Sequence, residues 1–353
     1  MSVPILTGVT ARMVATDRLS TRVLFTGPDD GEPVFFLHGN ASSATWWEET
    51  MLALPDAYRG IALDQRGFGD ADIEKKVDAT RGTGDWVDDA LALLDHLGIE
   101  KAHVVGSSLG GCVIWRMLAD CPDRLRTAIL ADPGSPYGFG GTKDLDGTPC
   151  YDDYAGSGGG LTNPEFIKAL TAGDRSMDSQ VSPRLALRMM VMKPPFIPER
   201  EEDLLTSMFT THLGEQDNPG DSVFSPNWPH VAPGVWGSAN ALSPKYVGDI
   251  GRLYAAEPKV SILWLRGSHD LAVSDTAASD PGFLGQLGLI PGWPGADVYP
   301  AQPMLGQTRS VLEKYSAVGG SYKEVVIEDA GHAPYVEKPQ EFNSHLHAHL
   351  QGE

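Results

Sequence analysis

The sequence predicts an α/β fold: a mostly parallel central sheet flanked by helices, with a lid inserted between two parts of the sheet. Three observations carry this. The first third alternates short apolar, β-branched runs with helical patterns, as βαβ units do. From about 133 to 243 that alternation breaks into stretches dense in Gly and Pro. Strand-like runs then return near 260 and 324, so both halves belong to one sheet.

The expected strands are Arg22 to Phe25, Val34 to His38, Gly60 to Asp64, Ala102 to Gly106 and Thr127 to Ala131, each ending near a Gly or polar residue. Between them, Trp86 to Leu97 spaces its apolar residues as a helix does, with Gly98 as its expected C-cap. A second helix is expected from Leu109 to about Ala119. The segments GSPYGFGGT, GSGGG, KPPFIPE and SPNWPHVAPG mark the lid. They hold too many aromatic residues, Tyr137, Trp228 and Trp236 among them, to be disordered linkers. After the lid, Val260 to Leu265 and Glu324 to Ile327 read as strands, and a closing helix is expected from Gln340. The expected division is therefore a first core part over 1–132, the lid over 133–243 and a second core part over 244–353.

Composition bounds the function. The 353 residues are 41% apolar and 21% charged, as in a globular protein. No apolar run approaches the ~18 residues of a membrane helix. The N-terminus has no basic start leading into an apolar stretch, so no secretory leader and a cytoplasmic location are expected. A formal charge of -20, with no basic cluster to offset it, sets the chain against phosphate backbones and anionic lipid. Nucleic acid and membrane are thus excluded as expected partners, leaving a small-molecule substrate. Cys112, Cys121 and Cys150 are odd in number and lack CxxC spacing, which argues against disulfides and zinc. Of His345, His347 and His349 in the HLHAHL segment, the i, i+4 pair could suggest a metal, but a third ligand at good spacing is missing. No metal and no cofactor are expected.

The chemistry begins at Gly106-Ser107-Ser108-Leu109-Gly110, which follows an apolar strand and opens a helical pattern. This is G-x-S-x-G in the context that lifts a serine above a sheet. The flanking glycines allow a sharp, strained turn. Ser108 is the expected nucleophile, since for Ser107 the first glycine position would be Val105. The helix N-terminus adds positive partial charge, and the Leu109 N–H faces the place where an oxyanion would form. A second donor belongs on the loop after the strand ending His38-Gly39-Asn40, with the Asn40 N–H as candidate. His38 reads as a loop-fixing residue, as does Arg66 in the turn Asp64-Gln-Arg-Gly-Phe-Gly.

Together the His-Gly-x loop, the D-x-R-G-x-G turn, G-x-S-x-G and a late Gly331-His332 resemble the α/β-hydrolase superfamily. The resemblance covers the sheet on both sides of the lid. It is nearest the esterase, lactonase and C–C hydrolase branch, which shares its scaffold with epoxide hydrolases and haloalkane dehalogenases. Those last two use an aspartate nucleophile, whereas this chain has Ser108.

The resemblance implies a base at His332, just after a short strand. A neutral imidazole can take the serine proton and return it to a leaving group near neutral pH. Chain order then places an orienting acid between Ser108 and His332. Asp270, in Gly267-Ser-His-Asp, resembles the family's G-x-x-D, and Asp132 at the preceding strand end is the alternative. Asp329 is expected to face solvent.

This constellation predicts hydrolysis through an acyl-enzyme, most commonly of a carboxylic ester, with lactones, thioesters and C–C bonds as alternatives. The residues after His332, Ala333-Pro-Tyr, depart from the tryptophan usual in C–C hydrolases. A ligand-binding receptor on the same fold is the alternative of another class. Trp46, Tyr137, Trp228 and Trp236 are candidate walls of a largely apolar pocket. The long interval of 273–304 leads either to a second pocket wall or to an interface with another subunit, which would make the protein a homo-oligomer.

Overall fold

The computed structural model describes residues 3–352. Its centre is a sheet built from β1 (Thr10–Ala15), β2 (Ser20–Thr26), β3 (Glu32–Leu37), β4 (Tyr58–Leu63), β5 (Ala102–Ser107), β6 (Leu125–Ala131), β7 (Ser261–Gly267) and β8 (Ser321–Ile327). The order across the sheet is β1-β2-β4-β3-β5-β6-β7-β8. From β4 to β8 every neighbouring pair is parallel, while β2 runs antiparallel to both β1 and β4.

A parallel strand covered on both faces can be apolar throughout, and successive side chains then divide between two cores. This is how VFFL, AHVV, AILA and ILWL are used. Phe35, Leu37, Val104, Leu130, Ile262 and Trp264 enter one cluster with α1 (Gly84–His96) and α2 (Leu109–Asp120). Val34, Phe36, Val105, Ile129, Ala131, Leu263 and Leu265 enter the other, with Trp47, Tyr335 and Phe342. At about 1.5–3 kcal/mol for each large apolar side chain fully buried, these two layers fix the register of the sheet.

The expected strands and helices all form, most of them a residue or two longer than the sequence suggested. His38 lies just past β3 rather than in it. Besides several short helices, the edge strand β1 and α3 (Met304–Ala317) were not anticipated. The chain closes with α4 (Pro339–Leu350).

Between β6 and β7 the inserted region carries short helices (Pro164–Ala172, Pro183–Ala186, Glu201–Met208), a π-helical turn at Leu187–Val191 and two small two-stranded sheets. It is tied to the core by specific bonds. Arg200 pairs with the buried Glu48 at 2.8 Å, and Ser207 Oγ lies 2.7 Å from Ser43 Oγ.

The segment 273–304 packs against the first stretch of this insert. Gln302 accepts from Gly140 N–H at 2.7 Å and donates to the Gly138 carbonyl at 2.9 Å. The Tyr299 hydroxyl donates to the Gly156 carbonyl at 3.0 Å, and Trp228 Nε1 donates to the Pro291 carbonyl. The segment is thereby a buttress of the lid within one chain.

Among the described residues, Cys112, Cys121 and Cys150 form no disulfide, and burial pushes each thiol up to about 12. No helix among the described residues is long and apolar enough to cross a membrane.

Candidate active site

Ser108, Asp132, Asp270 and His332 all lie just past the C-terminal ends of parallel strands, at β5, β6, β7 and β8 respectively. That edge is where an open α/β sheet presents its ligands.

Ser108 occupies φ 53° and ψ −114°, a strained conformation for a residue with a side chain. Three backbone bonds hold it there: its N–H donates to Ala131 O at 3.1 Å, and its carbonyl accepts from Cys112 N at 3.1 Å and Gly134 N at 3.3 Å. The flanking glycines are required by close approach. A Cβ on Gly106 would sit 2.5 Å from the Gly110 carbonyl, and one on Gly110 would sit 2.2 Å from Leu37 O. β3, β5 and α2 therefore meet backbone against backbone beneath the serine.

His332 and Asp270 form the best-defined pair. His332 Nδ1 lies 2.8 Å from Asp270 Oδ2, and both residues are buried. The other Asp270 oxygen accepts from Ala272 N at 2.7 Å and Val273 N at 3.0 Å, so the carboxylate cannot rotate freely. An accepting carboxylate leaves Nδ1 as the protonated nitrogen and Nε2 free to act as a base. Among the described residues Ser108 Oγ makes no hydrogen bond to His332; such bonds often tighten only when substrate binds. Asp132, the alternative acid, brings an oxygen within 4.8 Å of the Asp270 and His332 ligand atoms.

The His332 loop is held from the lid, which sequence reasoning missed. His332 N–H donates to Val191 O at 2.8 Å, at the end of the π-helical turn. The buried Glu337 accepts from Gly331 N at 2.6 Å and from Lys193 N at 2.8 Å. Burial, its largest influence, raises the Glu337 carboxyl above the usual range despite those bonds. Asp329 is exposed, as expected, and pairs with Lys193.

The candidate oxyanion donors come from two loops. Leu109 opens α2, so its N–H has no carbonyl of the same helix to bond. Gly39 packs on the serine: a Cβ there would lie 3.2 Å from Ser108 Cβ. Asn40 follows directly. Its side chain is engaged elsewhere, with Oδ1 accepting from Asn218 Nδ2 of the lid at 2.7 Å. Behind the loop, Asp64 accepts from Ala44 N and from both ends of the Arg22 guanidinium, whose Nη2 also donates to Thr45 Oγ1.

His38 is part of this scaffold. Its Nε2 accepts from Gln65 N at 2.9 Å, which leaves Nδ1–H to face the Gly39 carbonyl at 2.8 Å. Burial pushes this imidazole down to about 4. The unfolded value is near ~6.5, so in that window the unfolded chain binds the extra proton and stability falls as pH drops. The whole window is worth roughly 3 kcal/mol. Asp280 works the other way. Burial raises it to about 6, and the stability from its protonated form is lost as pH rises through that value. Urea unfolding of wild type and His38→Gln at several pH values separates the two. Between about pH 7 and 4, wild type is expected to lose roughly 3 kcal/mol more than the variant, and equal slopes would refute the assignment.

Arg66 is likewise structural, gripping Asp89 through Nε and Nη2 at 2.7 Å each. Of the four candidate pocket rings, three make packing contacts with the protein. Trp46 is buried in the core cluster on its side of the sheet. Tyr137 packs against the opposite cluster, and a Cβ on Gly147 would lie 2.2 Å from its ring. Trp228 is buried edge-on to Tyr299. Trp236 is half-buried, its backbone N–H donating to Asp221.

This architecture defines the class of fold, that of the α/β hydrolases. Residues 32–147 match the family model described as alpha/beta hydrolase fold. The chain is 30% identical over 173 residues to the uncharacterized carboxylesterase nap of Bacillus subtilis (strain 168), covering 46% of this chain and 57% of that protein. It is 36% identical over 103 residues to 2-hydroxymuconate semialdehyde hydrolase of Pseudomonas sp. (strain CF600), covering 28% and 36%. The chain thus matches only about a third to just over half the length of these relatives. Among solved structures, carboxylesterase CesB (YbfK) from Bacillus subtilis superposes with a TM-score of 0.60 at 18% identity, over 99% of this chain and 94% of that one.

Proposed function

We propose that this protein is a serine hydrolase that cleaves a carboxylic ester of a small, largely apolar molecule through an acyl-enzyme. The observation that carries the reading is the buried Asp270–His332 bond of 2.8 Å at the same sheet edge as Ser108 on its strained turn. In the proposed cycle His332 Nε2 takes the Ser108 proton as Oγ attacks the ester carbonyl. The N–H groups of Asn40 and Leu109 hold the oxyanion. The imidazolium, stabilised by Asp270, then gives its proton to the departing alcohol. Water repeats the sequence on the acyl-enzyme and frees the acid.

Similarity to carboxylesterases supports an ester substrate. Similarity to 2-hydroxymuconate semialdehyde hydrolase supports a second reading, cleavage of a C–C bond beside a ketone, which needs the same groups. The charge of -20 supports a free small molecule over nucleic acid as partner, and we place the protein in the cytoplasm. Incubation with a fluorophosphonate probe should label Ser108, identified in the labelled peptide. Short p-nitrophenyl esters should turn over faster than lactones or vinylogous diketones. An unlabelled Ser108 and no ester turnover would overturn the reading, and preference for the diketone would move it to the C–C branch.

A further inference from the structure

Asp132 is a second buried carboxyl beside the first. It sits directly after β6 at φ 42° and is fully covered by protein. Its N–H donates to Leu265 O at 2.9 Å, and its Oδ1 accepts from Gly267 N at 2.9 Å, both on β7. These bonds fix the side chain. Its Oδ2 has no donor within reach, and an ionised oxygen left so would bear the full cost of desolvation. The carboxyl group beside it is Asp270, with an oxygen of each residue within 4.8 Å of the other, and Asp270 as a carboxylate is itself an acceptor.

The charged and titratable groups around it are few. Asp270 comes from the loop after β7 and His332 from the loop after β8. Arg266 on β7 is bonded to Glu324 at 2.8 Å, and Tyr335 from the turn Pro334–Glu337 is buried nearby. None of these donates to Oδ2. Two carboxylates so close in a dry site cannot both hold a charge, and a shared proton resolves the conflict.

We propose that Asp132 is a neutral carboxylic acid whose Oδ2–H donates to Asp270, so that the pair carries one negative charge behind His332. Burial first, and the Asp270 charge second, push Asp132 well above the usual carboxylate range, in agreement with this. Asp132 is then a positioning residue. It fixes the Asp270 carboxylate and matches one charge to the one imidazolium that forms during turnover. This role in turnover rests on the triad reading of Ser108, Asp270 and His332; the protonation state does not.

Asp132→Asn tests it, because an amide accepts from Gly267 through Oδ1 and donates to Asp270 through Nδ2. Infrared difference spectra at neutral pH should show a protonated carboxyl C=O band in wild type that is lost in Asp132→Asn. The variant's kcat on a p-nitrophenyl ester should stay within about tenfold of wild type, the scale of exchanging one donor for another. The acid limb of its pH profile should not move. Absence of the band overturns the proposal, and so does a loss of activity as deep as that of Asp270→Asn, which would make Asp132 the acid. Failure of Ser108 to label would remove the hydrolase reading while leaving the infrared result to decide the shared proton.

Discussion

Ser108→Ala is expected to lower kcat on a short p-nitrophenyl ester by about 10⁴ to 10⁶, with His332→Gln falling as far. On the proposed reading, nucleophile and base act on one proton, so removing either removes the whole covalent route. The double variant should consequently lose no more than either single one. Non-additivity of this kind is the signature of a unit; a structural role for His332 would give losses that multiply. What remains is the catalysis that oxyanion donors and binding provide on their own. Ser108→Ala should leave stability near that of wild type, because alanine keeps the φ of 53° and the half-exposed serine hydroxyl can bond to water. Kinetics with purified variants, beside thermal melts, measure both effects. Near-normal turnover in either variant would refute the assignment.

The parts of this molecule that were legible in the sequence are those decided locally or by burial on both faces of a strand. VFFL, AHVV, AILA and ILWL could only be interior strands, and G-x-S-x-G carried its turn within five residues. Where the physics was non-local, the sequence was silent. β1 is an edge strand, exposed at most positions, and shows no apolar run to find. α3 buries Gln307 and Thr308 among its apolar residues, because Gln307 bonds to Ser135, Thr142 and Gln302 across the lid junction. Its polar core-facing positions hide the helical stripe. The lid aromatics Tyr137 and Trp228 suit pocket or packing alike in the sequence, and no local pattern encodes that Tyr137 packs on the core or that Trp228 donates to the Pro291 carbonyl. The same holds for Glu337, an ordinary helix-turn glutamate until folding brings Gly331 and Lys193 to it. Asp132 and Asp270 were both candidates because both follow parallel strands. Which of them meets Nδ1 of an imidazole more than 60 residues away depends on loop geometry that no local pattern encodes.

That geometry sets the second large effect. Asp270→Asn should reduce kcat/KM by about 10⁴ with the fold intact. The reason lies in what the carboxylate already accepts. Oδ1 takes two N–H bonds, from Ala272 and Val273, and Oδ2 takes the third from His332 Nδ1. Asparagine has one oxygen for these two faces. If that oxygen stays on the backbone pair, the Nδ2 amide points at His332 and donates to Nδ1, so the ring proton moves to Nε2. The base then presents a hydrogen to Ser108 where it needs a lone pair. If the amide turns over, its N–H groups face the N–H groups of Ala272 and Val273, leaving buried donors unpaired at a cost of about 1–3 kcal/mol each. The first arrangement is favoured, and it is the inactive tautomer. Melting within a few degrees of wild type together with slow fluorophosphonate labelling is the expected pattern. A variant that hydrolyses esters at the wild-type rate would show that Asp270 orients nothing, and that the 2.8 Å bond serves packing alone.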